Sequence, residues 1–168
     1  MNPADTLSDR TRWQGVTDWS RESQLSDMQT LMWRSESHPS LSSTTTLLIE
    51  LDRAPDWARF VAAHEWAVQL LRRLRQRVVD PALPTAAPVW ADDPTFDLSY
   101  HLRREHAFTG EEALDIAANH ALHPFDRNRP LWEGVLIEGL PDGAAYVLKI
   151  HHALADPLVC DFVTPSPL

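Results

Sequence analysis

Apolar positions recur at steps of three and four residues in two long stretches of the chain, which is the spacing of helices with one buried face. The first stretch follows Asp56, a residue that favours a helix start, and its apolar positions are Trp57, Phe60, Val61, His64, Val68, Leu71 and Leu74. The second, EEALDIAANHAL, follows a capping-box pattern at Thr109 and Glu112 and ends before Pro124. A shorter helix is predicted after Ser26, with Met28, Leu31 and Met32 on one face.

Other stretches are typical of strands. The β-branched and apolar run TTTLLIEL, Thr44 to Leu51, predicts a buried strand, and RLRQRVV predicts a return strand. The alternating positions Phe96, Leu98, Tyr100 and Leu102 predict a further extended segment with one apolar face. LWEGVLIEGL and AAYVLKIHH, separated by the turn signal Pro141-Asp142-Gly143, predict a hairpin. Helices that alternate with strands in this way indicate an α/β architecture with a mixed sheet and flanking helices.

Composition narrows the class of protein. The 168 residues are enough for one domain, and 15 Lys+Arg against 24 Asp+Glu give a net charge of -9, which disfavours binding to nucleic acid. The single cysteine, Cys160, has no partner within the chain for a disulfide and fits a reducing cytoplasm. No apolar run approaches the ~18 residues of a membrane-spanning helix, so we expect a soluble cytoplasmic protein, peripheral at most to a membrane or lipid surface.

Two adjacent histidines, His151 and His152, end the last strand-like run, and Asp156 follows them. Successive strand residues point to opposite faces, so the two imidazoles cannot face the same cavity. An imidazole can accept and return a proton at neutral pH, and Asp156 is near enough in sequence to orient a ring or brace the turn. These residues alone leave two interpretations open: histidines with only a structural role, or a proton-handling centre.

The other histidines offer an alternative that is weaker. His120 and His123 could share a helix face and, with His151 or His152 and Asp156, supply nitrogen and oxygen ligands to a metal ion. Their spacing matches no established metal motif, and helix-end histidines commonly bond exposed carbonyl groups, so we predict no metal site. His64 lies on the apolar stripe of its helix and is predicted to be a core residue rather than a ligand.

The segment PFDRNRPLWEGVLIEGL, Pro124 to Leu140, directly precedes the predicted hairpin. It carries Arg127 and Arg129 and then a bulky pair, Leu131 and Trp132, that would anchor the segment to the core. Plain packing is the simpler interpretation of that pair.

Together with LSDMQTLMWR, RLRQRVV, DDPTFDLSYHLRR and KIHHALAD, this segment forms an ordered series over about residues 25–156. The series resembles the N-terminal part of the bacterial wax ester synthase/acyl-CoA:diacylglycerol acyltransferase family. The resemblance implies a partial CoA-dependent acyltransferase domain, similar to chloramphenicol acetyltransferase. Around it, residues 1–24 are expected to form a loose leader and residues 157–168 a divergent tail.

The resemblance also implies a reaction. His152, the second histidine of an HHxxxDG motif, would take the proton from a diacylglycerol or long-chain alcohol as its oxygen attacks the thioester of acyl-CoA. His151 would be its neighbour in the motif, Asp156 would hold the geometry of the loop, and the PLW element Pro130, Leu131 and Trp132 would be structural. Acyl-CoA is then a substrate, and no cofactor is implied.

The chain departs from the family pattern at two points. Pro157 stands where the motif has glycine, and proline fixes φ and removes an N–H group where glycine would allow positive φ. The chain is also short for a family whose active site lies between two halves, so we expect a truncated domain that is inactive alone or completed by a companion chain or by self-association. The alternatives are a non-catalytic lipid- or partner-binding remnant and a condensation-domain-like acyltransferase.

Overall fold

A computed structural model describes residues 22–36, 38, 41–83 and 85–154. In chain order the elements are α1 (Asp27–Ser35), β1 (Thr44–Leu51), α2 (Trp57–Leu70), a 3-10 turn (Arg72–Arg75), β2 (Gln76–Val79), β3 (Val89–Asp92), α3 (Leu98–His101), β4 (Leu102–His106), α4 (Gly110–Leu122), β5 (Trp132–Leu140) and β6 (Gly143–His151). The predictions for Asp156, for Pro157 and for the tail lie outside these residues, as does most of the expected leader.

Two sheets are present among the described residues. The larger has four strands in the order β1-β6-β5-β4, and the smaller pairs β2 with β3. In the larger sheet β4 runs parallel to β5 whereas the other neighbours are antiparallel, which confirms the predicted mixed sheet. The predicted hairpin is confirmed as β5–β6, and Gly143 at its turn has a φ of 144° that favours glycine.

The helix starts follow the sequence signals. The side chains of Ser26, Asp56 and Thr109 each accept a hydrogen bond from a backbone N–H group in the first turn of α1, α2 and α4. At α1 the box is complete, because Gln29 Oε1 also accepts from the Ser26 N–H group at 2.9 Å. These three predicted helices are therefore confirmed.

The hydrophobic core has one part on each face of the larger sheet. Val68 of α2 packs in the cluster that contains Trp132 and Ile150, whereas Ala113 and Ala117 of α4 pack in the cluster that contains, among others, Val135, Ile137, Ala145 and Val147. The residues of β6 alternate between the two clusters, as the two-residue period of a strand requires. The sheet is thus covered by α2 on one face and by α4 on the other.

Three details of the sequence interpretation were wrong. Leu98–His101 form a short helix, α3, because Asp97 Oδ1 accepts a hydrogen bond from the Ser99 N–H group at 2.9 Å, and only Leu102–His106 are extended. The first three residues of the predicted return strand RLRQRVV belong to the 3-10 turn Arg72–Arg75, and only Gln76–Val79 pair with β3. The strand Thr44–Leu51 lies at the sheet edge and is half-buried rather than buried.

The apolar face predicted for α1 is not its buried face. Met28 and Leu31 are 60% and 62% exposed, while Trp33 is the buried residue of the helix. Within the described ranges, no helix combines the length and the apolar character that crossing a membrane requires.

Candidate active site

The two histidines lie at the corner where β6 leaves the sheet. The His151 N–H group donates to the Leu131 carbonyl at 3.1 Å, and the His152 N–H group donates to the Ser43 carbonyl at 2.7 Å. The backbone of the pair is thus bonded on one side to the PLW element and on the other side to the residue before β1. These two bonds hold the corner between the strands on both sides of β6.

The side chain of His151 is fully buried. Its Nδ1 accepts a hydrogen bond from the Ala153 N–H group at 2.9 Å, which leaves Nε2 to carry the proton of the neutral ring. Nε2 lies 3.1 Å from Glu36 Oε2, within ion-pair distance but not aligned as a straight N–H···O bond. The contact is therefore mainly electrostatic in this geometry.

Aromatic and charged side chains surround His151. Trp33 meets its ring edge-on, with ring centroids 6.2 Å apart. The guanidinium of Arg127 lies 3.5 Å from the centroid of the Trp33 ring and donates to the Trp33 carbonyl at 3.2 Å. Arg127 of the segment before β5 therefore has a specific partner in α1.

The titration of His151 reflects this burial. Burial lowers its pKa from the ordinary value, and Glu36 opposes the shift because its carboxylate stabilises the charged ring. The net direction is downward, so His151 is neutral at physiological pH. The ring is therefore neutral and shielded from solvent among the described residues.

His152 has the opposite environment. Its side chain is exposed, and its Nε2 lies 2.8 Å from Thr45 Oγ1. Thr45 is paired with Ile150 across β1 and β6, so the hydroxyl, Ile150 and the His152 ring share one face of the sheet. As predicted from the strand period, the two histidine side chains lie in different environments, and of the two only His152 is accessible to solvent.

The PLW element is buried next to this corner. Leu131 and Trp132 are 1% and 3% exposed, and Trp132 Nε1 donates to the Leu74 carbonyl at 2.8 Å. The Trp132 ring stacks on His101 at 4.8 Å between centroids and is parallel to His64 at 6.3 Å. Anchoring of the segment by packing, the simpler interpretation of the sequence, agrees with this geometry.

A small apolar cavity of about 160 Å³ lies between α2 and the sheet. Its lining includes Val68 and Leu71 of α2 and Leu148 and Ile150 of β6. Leu148 and Ile150 share the face that carries His152. The cavity therefore lies along the line of side chains that ends at the accessible imidazole.

His64 and Tyr146 form a polar pair at this cavity. His64 Nε2 and the Tyr146 hydroxyl are hydrogen-bonded at 3.0 Å, and His64 Nδ1 donates to the Phe60 carbonyl at 2.8 Å. Burial lowers the pKa of His64 and raises that of Tyr146, so both are neutral. His64 is a core histidine bonded to its own helix and to β6.

His120 and His123, the other histidines considered as metal ligands, each bond a different partner. His120 Nε2 lies 2.8 Å from Glu105 Oε1, and His123 Nδ1 bonds the Asn119 carbonyl at 2.6 Å. Among the residues that the structure describes, no group of three histidine, cysteine or carboxylate side chains could hold a metal ion. Asp156, the remaining candidate ligand, lies outside those residues.

The model of the wax ester synthase/diacylglycerol acyltransferase catalytic domain matches residues 25–159. The chain belongs to this family.

The chain matches only part of the length of the similar proteins. A protein of Mycobacterium tuberculosis named "Putative diacyglycerol O-acyltransferase" is 44% identical over 137 residues, which are 79% of this chain and 28% of that protein. Another of the same name and organism is 35% identical over 148 residues, 82% of this chain and 29% of that protein. The chain thus spans less than a third of the length of these relatives.

Solved structures support the fold. A wax ester synthase/diacylglycerol acyltransferase from Marinobacter aquaeolei superposes with a TM-score of 0.62 at 25% identity, over 82% of this chain and 36% of that one. The first condensation domain of the calcium-dependent antibiotic synthetase gives a TM-score of 0.64 at 21% identity, over 77% of this chain and 32% of that one. The second likeness is one of fold alone, and the two structures together confirm the predicted fold class, a mixed sheet with flanking helices.

Proposed function

We propose that this chain supplies the general-base histidine of an O-acyltransferase that moves a fatty acyl group from acyl-CoA to diacylglycerol or to a long-chain alcohol. The observation that carries the proposal is the exposed His152 imidazole, whose Nε2 is hydrogen-bonded to an aliphatic hydroxyl, that of Thr45, at 2.8 Å. The Thr45 oxygen occupies the kind of position that an acceptor hydroxyl needs for proton transfer.

The proposed reaction is a direct transfer. His152 takes the hydroxyl proton while the oxygen attacks the thioester carbonyl carbon. The C–S bond breaks, and the proton passes from His152 to the departing thiolate, which gives an ester and free CoA. Acyl-CoA is a substrate in this scheme, and neither a metal ion nor another cofactor takes part. The apolar cavity beside Ile150 offers space for several methylene groups of one substrate chain.

His152 is exposed in this structure, whereas the chemistry requires that water be kept from the thioester. We propose that a companion chain or a second copy covers this face, and that the chain alone is inactive or weakly active. We place the protein in the cytoplasm, with peripheral contact to a membrane or lipid droplet where its lipid substrates reside. Asp156 would brace the loop after the histidines.

The test is acyl transfer from a long-chain acyl-CoA to diacylglycerol and to a fatty alcohol by the purified protein. We expect His152→Ala to lower any observed rate by roughly 10²- to 10⁴-fold, the usual contribution of a general base. His38→Ala, at another exposed histidine, is the matched control and should leave the rate unchanged. Turnover that survives in folded His152→Ala protein excludes His152 as the base.

A non-catalytic lipid- or partner-binding module is the second candidate, favoured by the exposed Met28 and Leu31 on α1. This helix adjoins the histidine corner, since Gln29 Nε2 donates to the Ala153 carbonyl at 3.0 Å. Binding to diacylglycerol vesicles that is lost in Leu31→Ser, together with no turnover in the wild type, would favour this alternative.

A further inference from the structure

We propose that Glu36, which follows the last residue of α1, is a positioning residue that fixes the backbone and the ring orientation of His152. Its two carboxylate oxygens contact two different residues, Ser43 and His151. Ser43 is hydrogen-bonded to the His152 backbone, and His151 precedes His152 in the chain. The assignment of a catalytic purpose to this arrangement rests on the proposed function of His152 as general base. The contacts of Glu36 themselves can be tested without measuring acyl transfer.

The first contact goes to the start of β1. Glu36 Oε1 accepts a hydrogen bond from the Ser43 N–H group at 2.8 Å, and the Ser43 carbonyl accepts from the His152 N–H group at 2.7 Å. The same peptide segment leads to Thr45, whose hydroxyl bonds the His152 ring. By holding Ser43, Glu36 therefore sets the position of both the backbone acceptor and the side-chain partner of His152.

The second contact goes to the residue before His152. Glu36 Oε2 lies 3.1 Å from His151 Nε2. Because His151 Nδ1 accepts from the Ala153 N–H group, the proton of the neutral ring is on Nε2. The Glu36 carboxylate faces this N–H group at ion-pair distance without the alignment of a straight hydrogen bond, so its charge holds the ring of His151, and with it the start of the His152 backbone, by electrostatic attraction.

This geometry requires two acceptor oxygens on one side chain. A carboxylate has two, whereas the isosteric amide of glutamine has one oxygen and one NH₂ group. Glu36→Gln would therefore bring an amide N–H against a donor, either at Ser43 or at His151. The side chain of Glu36 is also mostly shielded, at 17% exposure, which makes an unmatched donor there costly.

The test is amide hydrogen exchange and long-range ¹H–¹⁵N NMR of the histidine rings in the wild type, Glu36→Gln and the control Glu50→Gln, an exposed carboxylate of β1. In Glu36→Gln we expect the His152 amide to exchange about tenfold faster or more, because the Ser43 N–H group loses its charged acceptor and the Ser43 carbonyl that accepts from His152 is then held less firmly. The amide of Val147, in the middle of β6, should keep its rate. The wild type should show His151 as the Nε2–H tautomer, and Glu50→Gln should match the wild type.

Several results would overturn the proposal. One is an Nδ1–H tautomer of His151 in the wild type, which can be observed even if Glu36→Gln does not fold. A second is an unchanged His152 amide and ring signal in folded Glu36→Gln, and a third is equal acceleration of His152 and Val147, which would indicate general loss of stability. If exchange responds as expected but no acyl transfer is found in any preparation, the positioning stands and the proposed function fails.

Discussion

Trp132 lies face to face with His101, with ring centroids 4.8 Å apart and ring planes 14° apart. His101 Nδ1 also donates to the Trp132 carbonyl at 2.7 Å, so the histidine contacts both the ring and the backbone of the same residue. Trp132 begins β5 directly after Leu131, whose carbonyl accepts from His151. The stacked pair therefore anchors the segment on which the histidine corner rests.

Removing the Trp132 ring should destabilise the protein strongly. Trp132 is 3% exposed and its Nε1 donates to the Leu74 carbonyl, so Trp132→Ala leaves a cavity and an unpaired carbonyl group. We expect the free energy of unfolding to fall by roughly 3–5 kcal/mol, as measured by urea denaturation. The matched control is Trp66→Ala, because Trp66 is 60% exposed; a loss there as large as that of Trp132→Ala would contradict the anchoring role.

The stability of the fold should decrease in mild acid. Burial lowers the pKa values of His64, His101 and His151 below their ordinary value of 6.5. The unfolded state then binds protons that the folded state does not, so the stabilisation is complete above about pH 6.5 and is lost as pH falls toward the depressed pKa values. Each group contributes at most about 1.4 kcal/mol per pH unit.

His101 is the group to test for this dependence. Its Nε2 is buried without a hydrogen-bond partner in the described part of the chain, so a second ring proton would be unpaired. Urea midpoints of the wild type and His101→Gln between pH 8 and pH 5 should show a shallower decrease in the variant. Equal slopes in the two proteins would mean that His101 does not contribute. The lowered pKa values of Asp92, Asp93 and Asp97 act only at lower pH, below their ordinary 3.8.

Most local features could be predicted from the sequence because their signals are local. The caps Ser26, Asp56 and Thr109 and the turn at Gly143 require only neighbouring residues. The short helix α3 was missed because its apolar positions also fit a strand, and the Asp97 cap decides between them.

The contacts of Glu36 could not be predicted from the sequence. Its partners Ser43 and His151 come together only when α1, β1 and β6 have assembled, and a single glutamate after a helix carries no local signal of that assembly. The resemblance to the family thus indicated which histidine is the candidate base, whereas the contacts of Glu36 are seen only in the assembled structure.

Lys149 is a buried charge whose loss should be costly unless its partner changes too. Its Nζ donates to the His123 carbonyl at 2.6 Å, lies 4.2 Å from the Phe125 ring centroid and is 3.9 Å from Glu133 Oε2. Burial lowers its pKa, and the carboxylate of Glu133 opposes that shift. Lys149→Met leaves the Glu133 carboxylate without its partner, and we expect a loss of about 3 kcal/mol.

The double variant Lys149→Met/Glu133→Gln is the control for this interpretation. It removes both charges, so part of the lost stability should return in urea denaturation. A double variant as unstable as the sum of the two single variants would show that the pair is not coupled and that Lys149 acts mainly through the His123 carbonyl and the Phe125 ring.

Thr45 offers a direct test of the accessible imidazole. Its hydroxyl bonds His152 Nε2, so in Thr45→Val this nitrogen loses its partner while the shape of β1 is retained. We expect diethylpyrocarbonate to modify His152 several-fold faster in Thr45→Val, as measured by mass spectrometry, because Nε2 is no longer bonded to the hydroxyl. Thr45→Ser keeps the hydroxyl and should react like the wild type. Equal rates in all three proteins would mean that the hydroxyl is not bonded to Nε2 in solution. The proposal that His152 exchanges a proton with an alcohol would then lose the contact on which it is based.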